Sequence, residues 1–217
     1  MQQTLHLIRH GEINSNITGA LDTATPGPPL NTTGLDQAKR LVNTFANAPL
    51  DTIYASTVTR AQMTAEPLAQ ARGLEINVRD GLKEISAGSL EMSADRAHQK
   101  EYLGVITSWM LGELDTKLAG GTTGHEVLER FDSVVTEIKE SGAQHTAIVA
   151  HGAIIVFWSA MRAPNLTGDI LQNYPPLNTG VVSLRPTSPD RLLSASGQSA
   201  TGARPDWIAK SWMGISL

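Results

Sequence analysis

The chain of 217 residues contains no cysteine, so it has no disulfide framework, no thiolate metal site and no cysteine nucleophile. Positive charge is also scarce, because the chain has 17 Lys and Arg residues but 21 Asp and Glu residues, which gives a formal net charge of −4. This balance argues against nucleic acid or an acidic membrane as the main partner. It is compatible with a small anionic ligand, since a few local arginines suffice to bind one.

Long apolar runs are missing as well. No stretch reaches the roughly 20 apolar residues that a membrane span needs, because residues 147–161, the longest, are interrupted by His151 and Gly152. The first residues show no basic segment followed by an apolar one, so we expect no secretion signal. We therefore expect a cytoplasmic protein without a membrane partner. The hydrophobic fraction of 41% is sufficient for a packed core.

The apolar pattern predicts strands that alternate with helices, which is typical of an α/β fold. Short strands are predicted over residues 4–8, 51–55, 75–78 and 145–150, with a closing antiparallel hairpin at 180–184 and 191–195. Helices are predicted over residues 32–45, 56–71, 93–118 with a break at Gly104 or Gly112, 123–140 and 153–161. We expect one domain over residues 1–217, built as a three-layer α/β/α sandwich with a mostly parallel central sheet. Residues 88–121 would form a helical lid or insert in it.

The first predicted strand ends in Arg9, His10 and Gly11. Ligands of open α/β sheets bind beyond the carboxyl ends of the strands, so this tripeptide indicates an anion site. Arg9 can offer a fork of donors to phosphate or carboxylate, and His10 can act as nucleophile, base or acid near neutral pH. Residues 12–30 follow as a long loop, which we interpret as functional because it leaves from this site. On the tripeptide alone, a stray basic pair at a strand end explains the pattern equally well.

Three further residues are candidates for the same site. His151 follows the strand 145–150, and both imidazoles would face one pocket if the two strands are neighbours; taken alone, it is better explained as a packed histidine. Arg60 lies one turn into its helix among small and apolar residues, which indicates a buried arginine in need of an anion. Glu84 stands in a loop of small residues, where an ordinary surface charge is the simpler explanation.

Together these segments resemble the histidine phosphatase superfamily, the group that includes phosphoglycerate mutases and related acid phosphatases. The resemblance spans most of the chain and keeps the family's order of motifs. The matching residues are 9–12 (Arg-His-Gly-Glu), Asn16, 30–38, Ser56 with Arg60, then Leu82, Glu84 and Gly88, and finally 149–152 (Val-Ala-His-Gly). The resemblance implies a phosphoglycerate mutase-like fold.

The resemblance also implies roles. His10 would be the nucleophile that forms a phosphohistidine, and Glu84 would donate a proton to the leaving oxygen. The implied ligands of the phosphoryl group are Arg9, Arg60, His151 and Asn16, and the implied substrate-binding residues are Thr18, Gly19 and Gly152. No metal and no cofactor are implied, because phosphoryl transfer mainly needs positioning and electrostatic stabilisation of the equatorial oxygens. A neutral His10 must attack, so its other nitrogen should fix one tautomer.

Three segments depart from the family's pattern, namely Leu90-Glu91-Met92, the region 121–126, and a short loop after Asn16. All three would rim the pocket, so the substrate stays open. We expect a metal-independent phosphomonoesterase for a small phosphorylated metabolite, with Glu91 or Asp22 as alternative acids. A phosphoglycerate mutase is the alternative enzyme, although only Arg96, Lys100 and Lys117 are basic between residues 88 and 121.

A degenerate phosphate- or protein-binding module is the alternative from another class, but it predicts loss of a site residue, and none is lost. A metal hydrolase is disfavoured, since residues 125–129 do not read His-Glu-x-x-His. Trp207 and Trp212 near the C-terminus, if exposed, would indicate a homodimer surface.

Overall fold

A computed structural model describes residues 3–187 and 207–217. Its strands are β1 (Thr4–Arg9), β2 (Thr52–Ser56), β3 (Ile76–Arg79), β4 (His145–Ala150), β5 (Val181–Pro186), β6 (Trp207–Trp212) and β7 (Ile215–Ser216). Its helices are α1 (Asn14–Thr18), α2 (Thr32–Thr44), α3 (Thr59–Arg72), α4 (Arg96–Met110), α5 (Gly124–Glu140), α6 (Gly152–Arg162) and α7 (Gly168–Asn173).

The strands form one sheet in the order β3-β2-β4-β1-β5-β6-β7. The block β3-β2-β4-β1 is parallel, and β5 to β7 continue it as antiparallel strands along one edge. Strand β1 pairs with β4 from Thr4 opposite His145 to Arg9 opposite Ala150. The two strands that precede His10 and His151 are therefore neighbours, as the sequence analysis required for a shared pocket.

Helices cover both faces of the sheet, which confirms the predicted three-layer architecture. Side chains alternate between the faces along each strand. On one face Leu5, Leu7 and Ile148 pack in a core with residues of α4, α5 and α6. On the other face Ile8 and Val149 pack with residues of α2 and α3.

Local sequence signals account for the positions of the long helices. Thr123 caps α5, since its side chain accepts a hydrogen bond from the Glu126 N–H while the Glu126 carboxylate accepts one from the Thr123 N–H. Asn31 caps α2 by accepting from the Gly34 N–H at 2.8 Å. The inward stripe of α5 is buried as its helical spacing predicted.

Two predicted elements differ in extent. The predicted helix 93–118 is only α4, which begins after the cap Asp95, runs through Gly104 without a break, and is followed by Gly112 in the left-handed region at φ +103°. The predicted loop 12–30 contains the short helix α1, which ends at Gly19 with φ +75°. The break predicted at Gly104 or Gly112 therefore falls at Gly112, where glycine allows the left-handed turn, but no α-helix resumes between this turn and residue 118.

The C-terminal part differs more. Strand β5 pairs with β6, whereas the predicted partner segment 191–195 lies outside the described residues. Trp207 and Trp212 of β6 are buried, so they do not form the exposed surface that would have indicated a homodimer. Trp207 packs against Trp158 of α6, and the Trp212 indole N–H donates to the carbonyl oxygen of Tyr174 at 2.7 Å. Among the helices described here, none is both long and apolar enough to cross a membrane.

Candidate active site

His10 follows β1 at the edge where the parallel strands end, and its side chain is buried. Its Nδ1 atom lies 2.7 Å from the carbonyl oxygen of Gly11, which can only accept a hydrogen bond. Nδ1 therefore carries the proton of the neutral ring, and Nε2 keeps its lone pair. Burial lowers the pKa of His10 well below 6.5, and the positive charges of Arg60 and Arg9 act in the same direction. The ring is therefore neutral, and a neutral imidazole can act as a nucleophile.

Gly11 allows this arrangement by a close backbone approach. A Cβ atom at Gly11 would lie 2.7 Å from the carbonyl oxygen of Gly34, at the start of α2. The Gly11 N–H donates to Thr64 Oγ1 at 2.9 Å, and this hydroxyl donates to the carbonyl oxygen of Arg60 at 2.6 Å. The turn after His10 is thus tied to both α2 and α3, and only glycine fits there.

Two arginines converge on the site. Arg60 is 1% exposed, as its small neighbours predicted, and it donates from Nη2 to the carbonyl oxygen of Asp22 at 2.8 Å. Arg9 donates from Nη1 to the carbonyl oxygen of Pro176 at 2.6 Å. Nε and Nη1 of Arg60 and Nε of Arg9 are buried without a hydrogen-bond partner in the part of the chain that the structure describes. An anion with several oxygens can satisfy such donors.

His151 lies directly behind His10, with the two ring centroids 5.2 Å apart, and it is fully buried. Its Nε2 is 2.9 Å from Ser56 Oγ, and that hydroxyl also accepts a hydrogen bond from the Val58 N–H. A hydroxyl has one proton and two lone pairs, so Ser56 Oγ can donate to Nε2 or accept from it. Burial and then the neighbouring His10 lower the pKa of His151 well below 6.5, so this ring is also neutral.

Glu84 is a half-buried carboxylate that lines the cavity rather than an ordinary surface charge. Its Oε1 accepts hydrogen bonds from the N–H groups of Ile85 and Ile154, both at 2.9 Å, and its Oε2 accepts from the Ala153 N–H at 3.1 Å. Ala153 and Ile154 lie in the first turn of α6, where N–H groups lack intrahelical partners. The helix that follows His151 thus fixes Glu84 beside the site.

Arg130 of α5 holds the loop that carries Glu84, and the sequence analysis missed it. Its Nη1 donates to the carbonyl oxygens of Gly81 and Lys83, both at 2.7 Å, and its Nη2 donates to that of Glu84 at 3.0 Å. Burial is the main cause that lowers the pKa of Arg130. A signal was present, since residue 130 falls on the helix face that the buried Val127 and Val134 also occupy.

These groups surround a cavity of about 1040 Å³. The predicted site residues that line it are Arg9, His10, Asn16, Gly19, Arg60, Glu84 and Gly152. Two predicted residues do not line it: His151 lies behind His10, and Thr18 donates from its hydroxyl to the carbonyl oxygen of Ser15 at 3.4 Å. Gly152 leaves room for Arg9, because a Cβ there would lie 3.2 Å from Arg9 Nε.

Asn178 is a second residue that the sequence analysis missed. It lines the cavity, and its Nδ2 donates to the carbonyl oxygen of His10 at 2.9 Å and to Asn16 Oδ1 at 3.1 Å. Asn16 Oδ1 also accepts from the Ile13 N–H, so the amide Nδ2 of Asn16 is the group it can offer to a ligand. No periodic pattern surrounds Asn178, which stands in the turn before β5, so only the tertiary structure identifies it.

The alternative acids have other partners. The Glu91 carboxylate accepts from both N–H groups of Thr23 and Ala24 and from the Thr23 hydroxyl, and Glu91 does not line the main cavity. Asp22 lines it, but its Oδ2 accepts from the Ser15 hydroxyl at 2.5 Å and its Oδ1 lies 3.6 Å from Nη1 of Arg60, whose counter-ion it is. Within residues 3–187 and 207–217, no group of three or more His, Asp or Glu side chains is arranged to hold a metal ion.

The fold is similar to that of solved structures. A solved mycobacterial glucosyl-3-phosphoglycerate phosphatase in complex with VO3 superposes with a TM-score of 0.70 at 21% identity, over 97% of this chain and 98% of that one. The structure of mycobacterial hydrolase 1 gives a TM-score of 0.75 at 21% identity, over 99% of this chain and all of the other. At this identity the likeness shows a shared fold.

Curated relatives extend the comparison. The adenosylcobalamin/alpha-ribazole phosphatase of Salmonella typhimurium is 30% identical over 70% of this chain and 75% of its own length. A PE-PGRS family protein of Mycobacterium tuberculosis is 31% identical over 98% of this chain, which spans only 37% of that longer protein. The sequence profile of the histidine phosphatase superfamily (branch 1) matches residues 5–195. The chain therefore belongs to the histidine phosphatase superfamily.

Proposed function

We propose that the protein is a phosphatase that hydrolyses phosphate monoesters of metabolites through a phosphohistidine at His10. The observation that carries the proposal is a buried, neutral His10 whose Nε2 lone pair is free beside the unpartnered N–H groups of Arg9 and Arg60. A nucleophile next to a cluster of cationic donors is the arrangement that phosphoryl transfer requires.

The reaction has two steps in this proposal. His10 Nε2 attacks phosphorus, the bond from phosphorus to the ester oxygen breaks, and that oxygen takes the proton of the Glu84 carboxylic acid. Water then attacks the phosphohistidine, the P–N bond breaks, and the Glu84 carboxylate accepts the proton of the water. Inorganic phosphate leaves, and both residues regain their starting states.

The arginines and His151 stabilise the transferred group. Arg60 Nε and Nη1 and Arg9 Nε donate to the equatorial oxygens as charge develops on them. Nδ1 of His151 also has no hydrogen-bond partner among the described residues, and this buried ring packs against His10. It contributes a fixed dipole and acts on the substrate through His10.

The proposed reaction needs one protonated carboxylate in the complex. Arg9 and Arg60 supply two positive charges, while Glu12, Asp22 and Glu84 supply three negative ones when all are ionised. A phosphate dianion binds to such a site with less repulsion when one carboxylate holds a proton. Glu84 is the carboxylate whose proton the leaving oxygen needs.

The relatives support the same class of activity. One is named an adenosylcobalamin/alpha-ribazole phosphatase and another a glucosyl-3-phosphoglycerate phosphatase, and both hydrolyse phosphate esters according to their names. The second binds VO3, an oxyanion of vanadium. An oxyanion of this kind fits the three unpartnered guanidinium donors found here.

A phosphoenzyme trap tests the proposal. The enzyme is mixed with a ³²P-labelled aryl phosphate in the presence of EDTA, since no proposed step uses a metal, and is quenched in acid or in alkali. We expect a protein-bound label that is stable in alkali and lost in acid. His10→Ala should abolish both label and turnover, whereas His125→Ala, a change at an exposed histidine, should keep both. Turnover by His10→Ala would refute the proposal.

A further inference from the structure

The cavity is much larger than a phosphoryl group requires. Its volume of about 1040 Å³ lies at the upper end of the range of roughly 300–1,000 Å³ that is usual for ligand pockets. Beyond the phosphoryl site it continues between α4 on one side and α6 with α7 on the other; we call this part the apolar arm. Its apolar lining side chains are Leu103, Ile106, Met110, Leu111, Val156, Ala160, Leu166 and Leu171. The same helices also contribute polar, uncharged lining residues, namely Gln99, Tyr102, Thr107 and Gln172.

The apolar arm has no cation of its own. Among the described residues that line the whole cavity, Arg9 and Arg60 are the only Lys or Arg, and both belong to the phosphoryl site. The carboxylates of Glu12 and Asp22 line the same cavity. A substrate with a carboxylate or a second phosphate in its leaving group would therefore find no positive partner and would meet negative charge.

Part of the apolar arm is open to water. Leu103 of α4 is 56% exposed and the following Leu111 is 73% exposed, and both line the arm. Val156 and Ala160 face the same space one helical turn apart on α6. An apolar group bound in the arm would remove these side chains from water, which is favourable in proportion to the area covered.

We propose that the apolar arm binds the leaving group, and that the preferred substrates are phosphate monoesters of uncharged aliphatic alcohols. The lining is mostly Leu, Ile, Val, Met and Ala with a few uncharged polar residues, and it is continuous with the phosphoryl site. The described residues of the arm include no Lys or Arg. This inference rests on the proposed phosphatase activity. It narrows the substrate from any phosphorylated metabolite to an ester whose alcohol is an aliphatic chain.

A chain-length series tests the inference. The probes are n-alkyl phosphates from ethyl to octyl, used below the concentrations at which they aggregate, with phosphoserine and glycerol 3-phosphate as polar probes. The value of kcat/KM should rise with each added methylene by up to about fourfold, the factor expected for full burial of a methylene. The two polar probes should be no better than ethyl phosphate. A flat or falling series, or a polar probe that exceeds octyl phosphate, would overturn the inference.

A pair of leucine variants locates the effect. Leu103→Lys places a charge in the arm at a side chain that is already exposed, so the fold should tolerate it. Leu35→Lys is the matched control, because Leu35 is 40% exposed on α2 and lies outside the cavity lining. We expect Leu103→Lys to lower the ratio of kcat/KM for octyl to that for ethyl phosphate at least fivefold. Leu35→Lys should leave this ratio unchanged, and equal ratios in both variants would overturn the inference.

A binding measurement separates this inference from the proposed function. Alkylphosphonates resist hydrolysis, so calorimetry with His10→Ala measures their affinity whether or not the enzyme turns over. Affinity that increases from ethyl- to octylphosphonate supports the apolar arm even if the phosphohistidine proposal fails. If phosphate is released from all esters without a preference for chain length, the proposed phosphatase activity stands, and the proposal that the apolar arm binds the leaving group is refuted. If Leu103→Lys instead converts a dimer to a monomer, and kcat/KM does not change with chain length, the apolar arm is an interface with a second copy of the chain. The inference is then wrong.

Discussion

The Nδ1 atom of His10 donates a hydrogen bond to the carbonyl oxygen of Gly11, its neighbour in the chain, at 2.7 Å. Because Gly11 is itself fixed by the hydroxyl of Thr64, this bond sets both the tautomer and the orientation of the ring. The lone pair of Nε2 is then available without any proton transfer from the nucleophile. The protonation of His10 should consequently control activity only at low pH.

The first prediction concerns this pH dependence. A protonated His10 has no free lone pair, and burial lowers the pKa of His10 well below 6.5. With an aryl phosphate, whose leaving group needs little acid assistance, kcat/KM corrected for substrate ionisation should stay level from pH 7 to below pH 6. The profile of kcat/KM reports groups of the free enzyme. A loss of activity centred near pH 6.5 would show that His10 is not held neutral as described.

The second prediction concerns Glu84. Glu84→Gln keeps the shape of the side chain and removes the proton that the leaving oxygen needs. The rate with alkyl phosphates should fall by roughly a hundredfold, within the range of general-acid contributions. The rate with an activated aryl phosphate should fall only by a small factor.

Glu91→Gln is the control for Glu84→Gln. The Glu91 carboxylate holds Thr23 and Ala24 and does not line the main cavity. Its alkyl and aryl rates should therefore change in the same proportion. If Glu84→Gln retains the full alkyl rate while Glu91→Gln loses it, the acid is Glu91.

The third prediction concerns Arg130 as a positioning residue. Arg130→Met removes three hydrogen bonds to the loop of Glu84, including the one to the carbonyl oxygen of Glu84 itself. We expect kcat to fall about tenfold more for alkyl than for aryl phosphates, since a misplaced acid costs most where the leaving group needs a proton. Arg130→Lys should recover part of this difference.

Arg79→Met is the matched control for Arg130→Met, because it also removes an arginine whose side chain makes hydrogen bonds at α5. Arg79 pairs with Glu137 at the surface of the same helix and does not line the cavity. Its alkyl and aryl rates should stay in the wild-type ratio. An equal loss on both substrates in Arg130→Met would assign this residue to stability alone.

The fourth prediction concerns the pH dependence of stability. Burial, then the charges of His145 and Arg185, lower the pKa of His6 from 6.5 to about 4. Between these two values the unfolded chain binds more protons than the folded one. The free energy of unfolding should therefore fall as the pH falls from 6.5 to 4, by up to about 1.4 kcal/mol per pH unit for such a group. Above pH 6.5 this contribution is fully present.

Urea unfolding of His6→Gln at pH 7 and pH 5 measures that contribution. The loss of stability between the two pH values should be smaller in His6→Gln than in the wild type. It should not vanish, because the lowered pKa values of His10 and His151 act in the same direction. His125→Gln, at an exposed histidine, should keep the wild-type difference. An unchanged difference in His6→Gln would show that His6 does not contribute.

The fifth prediction separates a phosphatase from a phosphoglycerate mutase. A mutase must hold the carboxylate of phosphoglycerate while the phosphoryl group leaves and returns. The cavity offers Arg9 and Arg60 for the phosphoryl group and no further Lys or Arg for a carboxylate. With phosphoglycerates we therefore expect release of inorganic phosphate, measured against isomer exchange by NMR. Rapid exchange of isomers with little phosphate release would favour the mutase.

Much of the fold and part of the site could be predicted because their signals are local. The His-Gly pairs at the ends of β1 and β4 are visible in the sequence, and so is the buried helical stripe of α5 behind its Thr123 cap. The small neighbours of Arg60 indicated its burial. In each case the pattern of a few adjacent residues reports directly on backbone conformation or on one buried face.

Contacts between distant segments could not be predicted in this way. Trp207 and Trp212 are buried because β6 pairs with β5 and because Trp207 packs against Trp158 of α6. An aromatic residue near the end of a chain carries no local signal that distinguishes a core position from an exposed one. For this reason the sequence left open whether these tryptophans are exposed.

The sequence by itself determined which chemical groups are present and where each stands in a predicted element: His10 and His151 after strands, and Arg60 on a buried helix face. Only the tertiary structure decided which of these elements are neighbours and how the groups are used. It placed Glu84 against the first turn of α6, put His151 behind His10 rather than in the cavity wall, and opened the apolar arm beside α4. The physical reason is that these relations join segments far apart in the chain, where packing and hydrogen bonding fix distances that no local periodicity encodes.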